Sequence, residues 1–263
     1  MSGAAPTGAV TLELIAQDAA AVRVAASIGA ARVELCQALA LGGLTPSLGT
    51  IEAAVQAAGD AVGVHVLIRP RGGGFHYTAD EFAVMESDVR AAVAAGAAGV
   101  VIGCLDEAGR FDLDGMRRLR DAAGPAGVAA HRAIDVSAEP LQAFDALIEL
   151  GLDRVLTSGA APTALAGRDT LRAFVERADG RIVVMAGGGV TAADAPGILA
   201  SGVRDLHFSA KRTVAGDAGG VSMGSAGSGV GDYEVADAQV AREIAEAARA
   251  AATTGSTPGG AAR

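Results

Sequence analysis

One recurring transition constrains the fold of this chain more than any other feature. In four places a glycine follows a helix-like stretch, and an apolar, strand-like run begins three or four residues later. These glycines are Gly29, Gly96, Gly151 and Gly202, and they lie 51 to 67 residues apart. Each interval accommodates two strand–helix units of about 25–30 residues. The sequence therefore predicts a single-domain (β/α)8 TIM barrel of the α/β class.

Length and composition fit this fold. Such barrels typically need about 250 residues, and this chain has 263. Half of the residues are apolar (51%) but only 3% are aromatic, which predicts an aliphatic core. We predict the barrel at 11–252, between a disordered N-terminus at 1–10 and a disordered tail at 253–263. The Gly/Ser-rich segment 214–231 is predicted to be a loop over the barrel mouth or disordered.

Charge and cysteine content narrow the functional class. The net charge of −9 disfavours non-specific binding to nucleic acid. No apolar run approaches the roughly 20 residues that a membrane span requires. The two cysteines do not form a disulfide framework and suit a reducing compartment. We therefore predict a cytoplasmic protein with no nucleic-acid or membrane partner.

Apolar runs bounded by turn residues predict the positions of the eight strands. They are 12–16, 32–36, 63–69, 99–104, 128–132, 154–157, 182–186 and 206–209.

Side-chain alternation predicts which residues face the barrel interior. In the second strand, Val33 and Leu35 are apolar and are expected to face the helices. Glu34 and Cys36 then point inward. The same reasoning places these further residues inside: Glu13, His65, Arg69, His131, Thr157, Met185, His207 and Ser209.

So many ionisable groups inside one barrel require an explanation, because buried charges are costly unless they are paired. One interpretation is a layer of ion pairs that fixes the barrel. The other is a polar ligand pocket at the carboxyl ends of the strands, where barrel enzymes carry out chemistry. In that pocket Glu34 or His131 would be the general base or acid. Arg69 and Arg132 would stabilise developing negative charge.

Two further loops predict a site for a small anionic ligand. Two arginines flank a proline after the third strand. Their planar guanidinium groups can donate paired hydrogen bonds to a carboxylate or a phosphate. Three glycines after the seventh strand precede a helix predicted to begin at Thr191, which is a favourable arrangement for an anion. Solvated surface arginines and a plain tight turn are the alternatives. The predicted anion-binding residues are Arg71, Gly187, Gly188, Gly189, Ser209 and Lys211.

Metal chemistry has weaker support, since the chain lacks CxxC, HxH and HExxH motifs. A thiolate is the ligand type that Cu(I) prefers, and Cys36 is predicted to lie near histidines. The candidate metal ligands are Cys36, His65 and His207. The alternative for Cys36 is a buried packing residue.

The chain resembles the CutC family, named for copper homeostasis, and the likeness covers most of 12–211. It implies a cytoplasmic (β/α)8 barrel, a homodimer or larger homo-oligomer, and a proposed role in copper binding and tolerance. The matching stretches are Arg32-Val33-Glu34-Leu35-Cys36, 42–47, His65 with 68–73, His131-Arg132-Ala133 with Asp135, 154–159, and 185–190.

The resemblance also implies that a cysteine at the end of the first strand acts together with Cys36. Here the first strand reads LELIA and carries no cysteine. Two functional hypotheses therefore stay open. One is a copper-handling protein, and the other is a lyase or isomerase acting on a small phosphorylated or carboxylated metabolite. A barrel without catalysis is a third, less informative option.

Overall fold

Eight parallel strands form a closed barrel in the computed structural model, which describes residues 9–215 and 232–254. Strand order follows the sequence from β1 to β8, and β8 pairs with β1 to close the ring. A helix follows each strand on the outside. The predicted (β/α)8 fold is confirmed.

The strands are short and the helices are mostly three turns long. The strands are β1 Thr11–Ala16, β2 Arg32–Leu35, β3 Gly63–Leu67, β4 Gly99–Ile102, β5 Gly127–Ala130, β6 Arg154–Thr157, β7 Val183–Gly187 and β8 Asp205–Phe208. The helices are α1 Ala19–Ser27, α2 Leu48–Ala58, α3 Ala79–Ala94, α4 Leu113–Ala123, α5 Pro140–Glu149, α6 Arg168–Ala178, α7 Ala195–Leu199 and α8 Ala238–Thr254.

All eight predicted strands are present, and their ends differ from the prediction by at most two residues. The largest differences, of two residues, are at the carboxyl ends of three strands, where β3 stops at Leu67, β4 at Ile102 and β5 at Ala130. Arg69, His131 and Arg132 therefore belong to the loops at the barrel mouth. There their side chains are no longer restricted by the alternation of the strand.

The four glycines that predicted the fold adopt the backbone conformation that requires them. Gly29, Gly96, Gly151 and Gly202 have φ values of +63°, +93°, +69° and +101°. This left-handed region is the usual way to end a helix, and residues with a Cβ rarely adopt it. Each of these glycines follows an odd-numbered helix and leads into an even-numbered strand.

Alternation along the strands separates two apolar regions. The outward residues Val33, Leu35, Val64 and Val66 join the large core between the strands and the helices. A much smaller cluster lies inside the barrel and consists of Cys36, Leu67, Val101 and Ala129. Inside and outside are therefore assigned as the period-two pattern predicted.

Ion pairs fill the amino-terminal part of the barrel interior. The Arg32 guanidinium donates to Glu13 at 2.9 Å and to Asp205 at 2.6 Å. Arg154 donates to the same Asp205 carboxylate at 3.2 Å. This end of the barrel interior is therefore a layer of ion pairs. Because these charged side chains pair with one another, they do not require partners from the carboxyl-terminal end of the barrel. The polar side chains at that end can therefore interact with a ligand.

The chain between β8 and α8 contains a two-stranded antiparallel hairpin of β9 Lys211–Val214 and β10 Tyr233–Ala236. Most of the predicted loop 214–231 and of the predicted N-terminal segment 1–10 lies outside the described residues. Helix α8 continues to Thr254, two residues into the predicted tail, and the remainder of 253–263 is also outside. Within the described ranges, no helix combines the length and the apolar character that crossing a membrane requires.

Candidate active site

A cavity of about 560 Å³ opens at the carboxyl ends of the barrel strands. Its walls combine apolar side chains with a small number of convergent polar groups, as is typical of small-molecule sites. The polar lining comprises Glu34, Arg69, His131, Arg132, His207, Ser209 and Lys211, together with Gly188 and Gly189. The apolar lining includes Ile15, Leu39, Leu67, Phe75, Leu156 and Val190.

Most of the predicted site residues thus share one cavity, but four of them do not line it. These are Arg71, Gly187, Cys36 and His65. Gly187 is the last residue of β7, and a Cβ there would lie 2.5 Å from Leu156 Cδ1. It therefore serves close packing inside the barrel and is not part of the cavity lining.

Arg71 points away from the cavity because the start of α3 holds it. Its guanidinium pairs with Glu81, donates to the backbone carbonyl of His76 at 2.6 Å, and lies 5.1 Å from the centre of the Tyr77 ring. Glu81 is also the acidic member of the capping box with Thr78 that opens this helix. The predicted anion-binding role of Arg71 does not agree with this position.

Arg69 faces the cavity, but its terminal nitrogens are already used. Nη1 donates to the carbonyls of Leu41 and Gly43, both at 2.9 Å, and Nη2 donates to that of Gly73 at 2.7 Å. The guanidinium also lies 5.2 Å from the centre of the Phe75 ring. Arg69 therefore ties together the loops after β2 and β3. Its main contribution to the cavity is a fixed positive charge.

Glu34 is the most chemically distinctive group in the cavity. It lies on β2 with only 6% of the residue exposed, and its Oε2 atom has no hydrogen-bond partner in the described part of the chain. Burial raises the pKa of this carboxyl to about 7, with a counteracting influence from His207 and a further increase from the Glu13 charge. A carboxyl that titrates near neutral pH can both accept and return a proton.

His207 lies between two carboxylates. Its Nδ1 atom is 2.9 Å from Glu13 Oε1, and ligand atoms of Glu13, Glu34 and His207 lie within 4.8 Å of one another. Burial alone would lower the pKa of His207, but the hydrogen bond to Glu13 and the two negative charges raise it. The same contacts hold the pKa of Glu13 far below its usual range, although burial opposes this. Nδ1 therefore donates to Glu13.

His131 has the opposite character. Its Nδ1 atom accepts a hydrogen bond from the Ala133 N–H at 3.1 Å, so the proton of the neutral ring is on Nε2. Burial, followed by the charge of Arg69, lowers the pKa of His131 to about 3. Nε2 is buried and has no partner among the described residues. Of the two predicted acid–base groups, Glu34 is suited to accept a proton, whereas His131 is suited to donate a hydrogen bond.

Two neighbours hold the His131 ring in place. The Phe75 ring packs against it with 4.8 Å between the ring centres. The ring also packs against Gly103, where a Cβ would lie only 2.3 Å from the imidazole Cε1. A side chain at position 103 would therefore displace the ring.

Arg132 is positioned by a set of contacts that sequence reasoning did not identify. Its Nε donates to Asp135 at 2.7 Å and its Nη2 donates to Ser158 Oγ at 2.8 Å. Asp135 in turn accepts from Thr157 Oγ1 at 2.5 Å and from the Ser158 N–H at 3.0 Å. The i, i+3 spacing of Arg132 and Asp135 in the sequence could have predicted that these two side chains form an ion pair. Nη1, beside Gly188, has no hydrogen-bond partner within the described chain.

The glycine loop after β7 provides backbone donors next to Arg132. Gly188 and Gly189 have φ values of +108° and +67°, and no backbone acceptor for their N–H groups lies within the described residues. The predicted helix terminus at Thr191 is wrong, because α7 begins at Ala195 and has five residues. The backbone amides and nearby side chains remain available to an anion without a helix dipole.

On the opposite side of this loop are Ser209 and Lys211, which follow β8. The Lys211 ammonium pairs with Glu234 of β10 at 2.6 Å, and both side chains are partly exposed. An anionic ligand would therefore have to compete with Glu234 for the Lys211 ammonium group. It would meet no such competitor at Arg132 Nη1 among the described residues.

The predicted metal ligands do not assemble. Cys36 lies in the apolar cluster inside the barrel, and burial together with the Glu34 charge raises the pKa of its thiol to about 12. His65 packs against Gly99, and burial lowers its pKa to about 4. In the part of the chain that is described, the one group of three candidate ligands within 4.8 Å is Glu13, Glu34 and His207.

Comparison with known proteins identifies the family. A family model described as the CutC family matches residues 10–212. The chain belongs to the CutC family. A family protein CutC from Xanthomonas campestris pv. campestris (strain 8004) is 47% identical over 205 residues, which cover 78% of this chain and 85% of that protein. Another from Xylella fastidiosa (strain Temecula1) is 44% identical over 234 residues, 89% of this chain and 86% of that protein.

A solved structure extends the likeness to three dimensions. It is described as a proposed copper homeostasis protein CutC from Streptococcus agalactiae, and it superposes on this chain with a TM-score of 0.72. The two chains are 33% identical, and the match covers 75% of this chain and 97% of the other. The resemblance inferred from sequence motifs is thus confirmed at the level of family and fold.

The raised pKa of Glu34 makes a prediction about stability. Because the folded state keeps the Glu34 proton up to about pH 7, while the unfolded chain loses it near pH 4.3, the free energy of unfolding falls as pH rises through this window. Glu34→Gln removes that effect. We expect the variant to be more stable than the wild type by about 3 kcal/mol at pH 8, with little of this gain at pH 4.5.

Urea denaturation of both proteins at the two pH values measures the difference. Glu52→Gln, at an exposed position on α2, is the matched control and should change stability by less than about 0.5 kcal/mol at either pH. A Glu34→Gln effect that is the same at both pH values would contradict a raised pKa.

Proposed function

We propose that this CutC family protein is an enzyme that binds a small phosphorylated or carboxylated metabolite at the barrel mouth and transfers a proton with Glu34. The observation that carries the proposal is the buried Glu34 carboxyl, whose Oε2 atom has no hydrogen-bond partner among the described residues and which lines the same cavity as Arg132, Gly188 and Gly189. Leaving a buried polar atom without a partner costs about 1–3 kcal/mol. Ligand binding would supply that partner.

The anion would bind at the wall formed by the loops after β5, β7 and β8. Arg132 offers Nη1, and the glycine loop offers the N–H groups of Gly188 and Gly189. Ser209 adds a hydroxyl, and Lys211 adds charge at the rim. In this arrangement Asp135 is a positioning residue, because it holds the Arg132 guanidinium by Nε.

Proton transfer would occur deeper in the cavity. Glu34 accepts or returns the proton, and its pKa near 7 keeps both forms populated at neutral pH. His207 beside it, whose own pKa is raised by the hydrogen bond to Glu13, limits how far the pKa of Glu34 rises. The fixed charge of Arg69 favours negative charge on the substrate.

Arg132→Gln provides the test of anion binding. We expect it to weaken binding of phosphorylated or carboxylated ligands about tenfold to a hundredfold, since hydrogen bonds to charged groups contribute about 1.5–3 kcal/mol. Asp135 keeps its other donors in the variant, so the fold should persist. Calorimetry on ligands first selected by thermal shift measures the change.

Arg172→Gln is the matched control. Arg172 is similarly exposed (48% of the side chain, against 42% for Arg132) and is also paired to an aspartate three residues away, but it lies on α6 outside the cavity. Equal loss of affinity in both variants, or no ligand among a broad set of anions, would contradict the proposed site.

Copper handling is the second candidate, and the description of the Streptococcus agalactiae relative favours it. The donors here do not fit Cu(I), which prefers soft sulfur ligands. The Cys36 thiol stays protonated because it is buried among apolar side chains. The convergent Glu13, Glu34 and His207 supply oxygen and nitrogen, and Glu13 is already bound to Arg32.

Anaerobic titration with Cu(I) against a competing chelator tests this candidate. We expect an affinity no tighter than millimolar that does not change in Cys36→Ala, because a buried protonated thiol is a poor ligand. A submicromolar affinity that Cys36→Ala abolishes would replace the proposed enzyme by a copper-handling protein.

We also propose a cytoplasmic homodimer, in keeping with the resemblance to the family. Two cysteines that form no disulfide in the structure support a reducing compartment. Analytical ultracentrifugation and cell fractionation are the corresponding measurements.

A further inference from the structure

Resting on the function proposed above, we infer that the substrate carries a carbonyl group next to a carbon–hydrogen bond. Glu34 would remove the proton from that carbon, and the Nε2–H of His131 would hold the carbonyl oxygen. The reaction class is then enolisation, which serves isomerases and many lyases.

The geometry around His131 specifies a hydrogen-bond donor. The Ala133 N–H occupies Nδ1, so Nε2 carries the hydrogen. That hydrogen has no acceptor among the described residues, and the ring packs closely against Phe75 and Gly103. A buried donor without an acceptor, in the wall of a cavity, is suited to an oxygen atom of a ligand.

The chemistry of this donor favours a carbonyl oxygen. A neutral imidazole strengthens its hydrogen bond as the oxygen gains negative charge, and it does so without a protonated form. The charge of Arg69, which helps to keep the imidazole neutral, also stabilises an enolate. An alcohol oxygen would gain less, because it acquires no comparable charge when a neighbouring C–H bond is broken.

Glu34 and His131 reach the cavity from different strands. They belong to β2 and to the end of β5, three strands apart in a ring of eight. A small molecule in the cavity therefore lies between a proton acceptor and an oxygen donor. The anionic group of the same molecule reaches Arg132, the neighbour of His131 in sequence.

The step balances without any added reagent. The Glu34 carboxylate takes the proton, the C–H electron pair becomes the new carbon–carbon double bond, and the carbonyl π electrons move to the oxygen. His131 keeps its own proton throughout. Glu34 then returns the proton to the same carbon, which restores the carbonyl group, and no oxidant or reductant takes part.

Solvent deuterium exchange provides the test. The probes are pairs of compounds that share an anionic group, one with a carbonyl and one with the corresponding alcohol. Suitable pairs are glycolaldehyde phosphate with 2-hydroxyethyl phosphate, dihydroxyacetone phosphate with glycerol 3-phosphate, and pyruvate with lactate. We expect the full-length protein to incorporate deuterium next to the carbonyl of at least one probe, at least a hundredfold faster than buffer.

Two variants of His131 distinguish the role of its Nε2 atom from that of its Nδ1 atom. The amide nitrogen of Gln reaches the position of Nε2, so His131→Gln should retain at least a tenth of the exchange rate. Asn imitates only Nδ1, so His131→Asn should lose at least 99% of it. Glu34→Gln should lose the exchange while still binding the probe.

The outcomes distinguish this inference from the function on which it rests. Exchange confined to carbonyl probes, with the expected order of the His131 variants, supports both. Equal binding of carbonyl and alcohol probes with no exchange in the wild type overturns the inference, while anion binding survives. If no probe binds, the anionic site itself is wrong. These wild-type results decide the matter even if a His131 variant fails to fold.

Discussion

The structure depends on one constraint: a closed barrel of parallel strands must point every second side chain into a narrow, poorly hydrated interior. Charges placed there are tolerated only when they are paired or serve a ligand. This chain satisfies the constraint in two ways along the barrel axis. At the amino-terminal end the charges of Arg32 and Arg154 are balanced by those of Asp205 and Glu13. At the other end Glu34 keeps an oxygen atom that has no hydrogen-bond partner within residues 9–215 and 232–254.

Glu13 connects these two regions. One Glu13 oxygen accepts a hydrogen bond from Arg32, and the other accepts one from His207. Both carboxylate oxygens are therefore engaged. Its negative charge helps to raise the pKa of Glu34 and that of His207. The ion-pair layer therefore does more than hold the barrel together, because it also shifts the pKa values of the groups at the start of the cavity.

Much of this arrangement was predictable from sequence. Alternation correctly placed Glu34 and His207 inside, because strand geometry is regular and needs no knowledge of neighbours. Loop residues were less predictable, since their contacts come from elsewhere in the chain. Arg71 is captured by Glu81 of the next helix, and Arg69 by backbone carbonyls. The tautomer of His131 depends on a backbone N–H, which leaves no trace in the pattern of side chains.

Gly103 shows how a missing side chain can control chemistry. The His131 ring occupies the space that a methyl group at position 103 would take. One extra carbon atom there would move the imidazole without altering any charge or any strand of the barrel. Position 103 thus offers an evolutionary route by which a relative could change its reaction while retaining the same architecture.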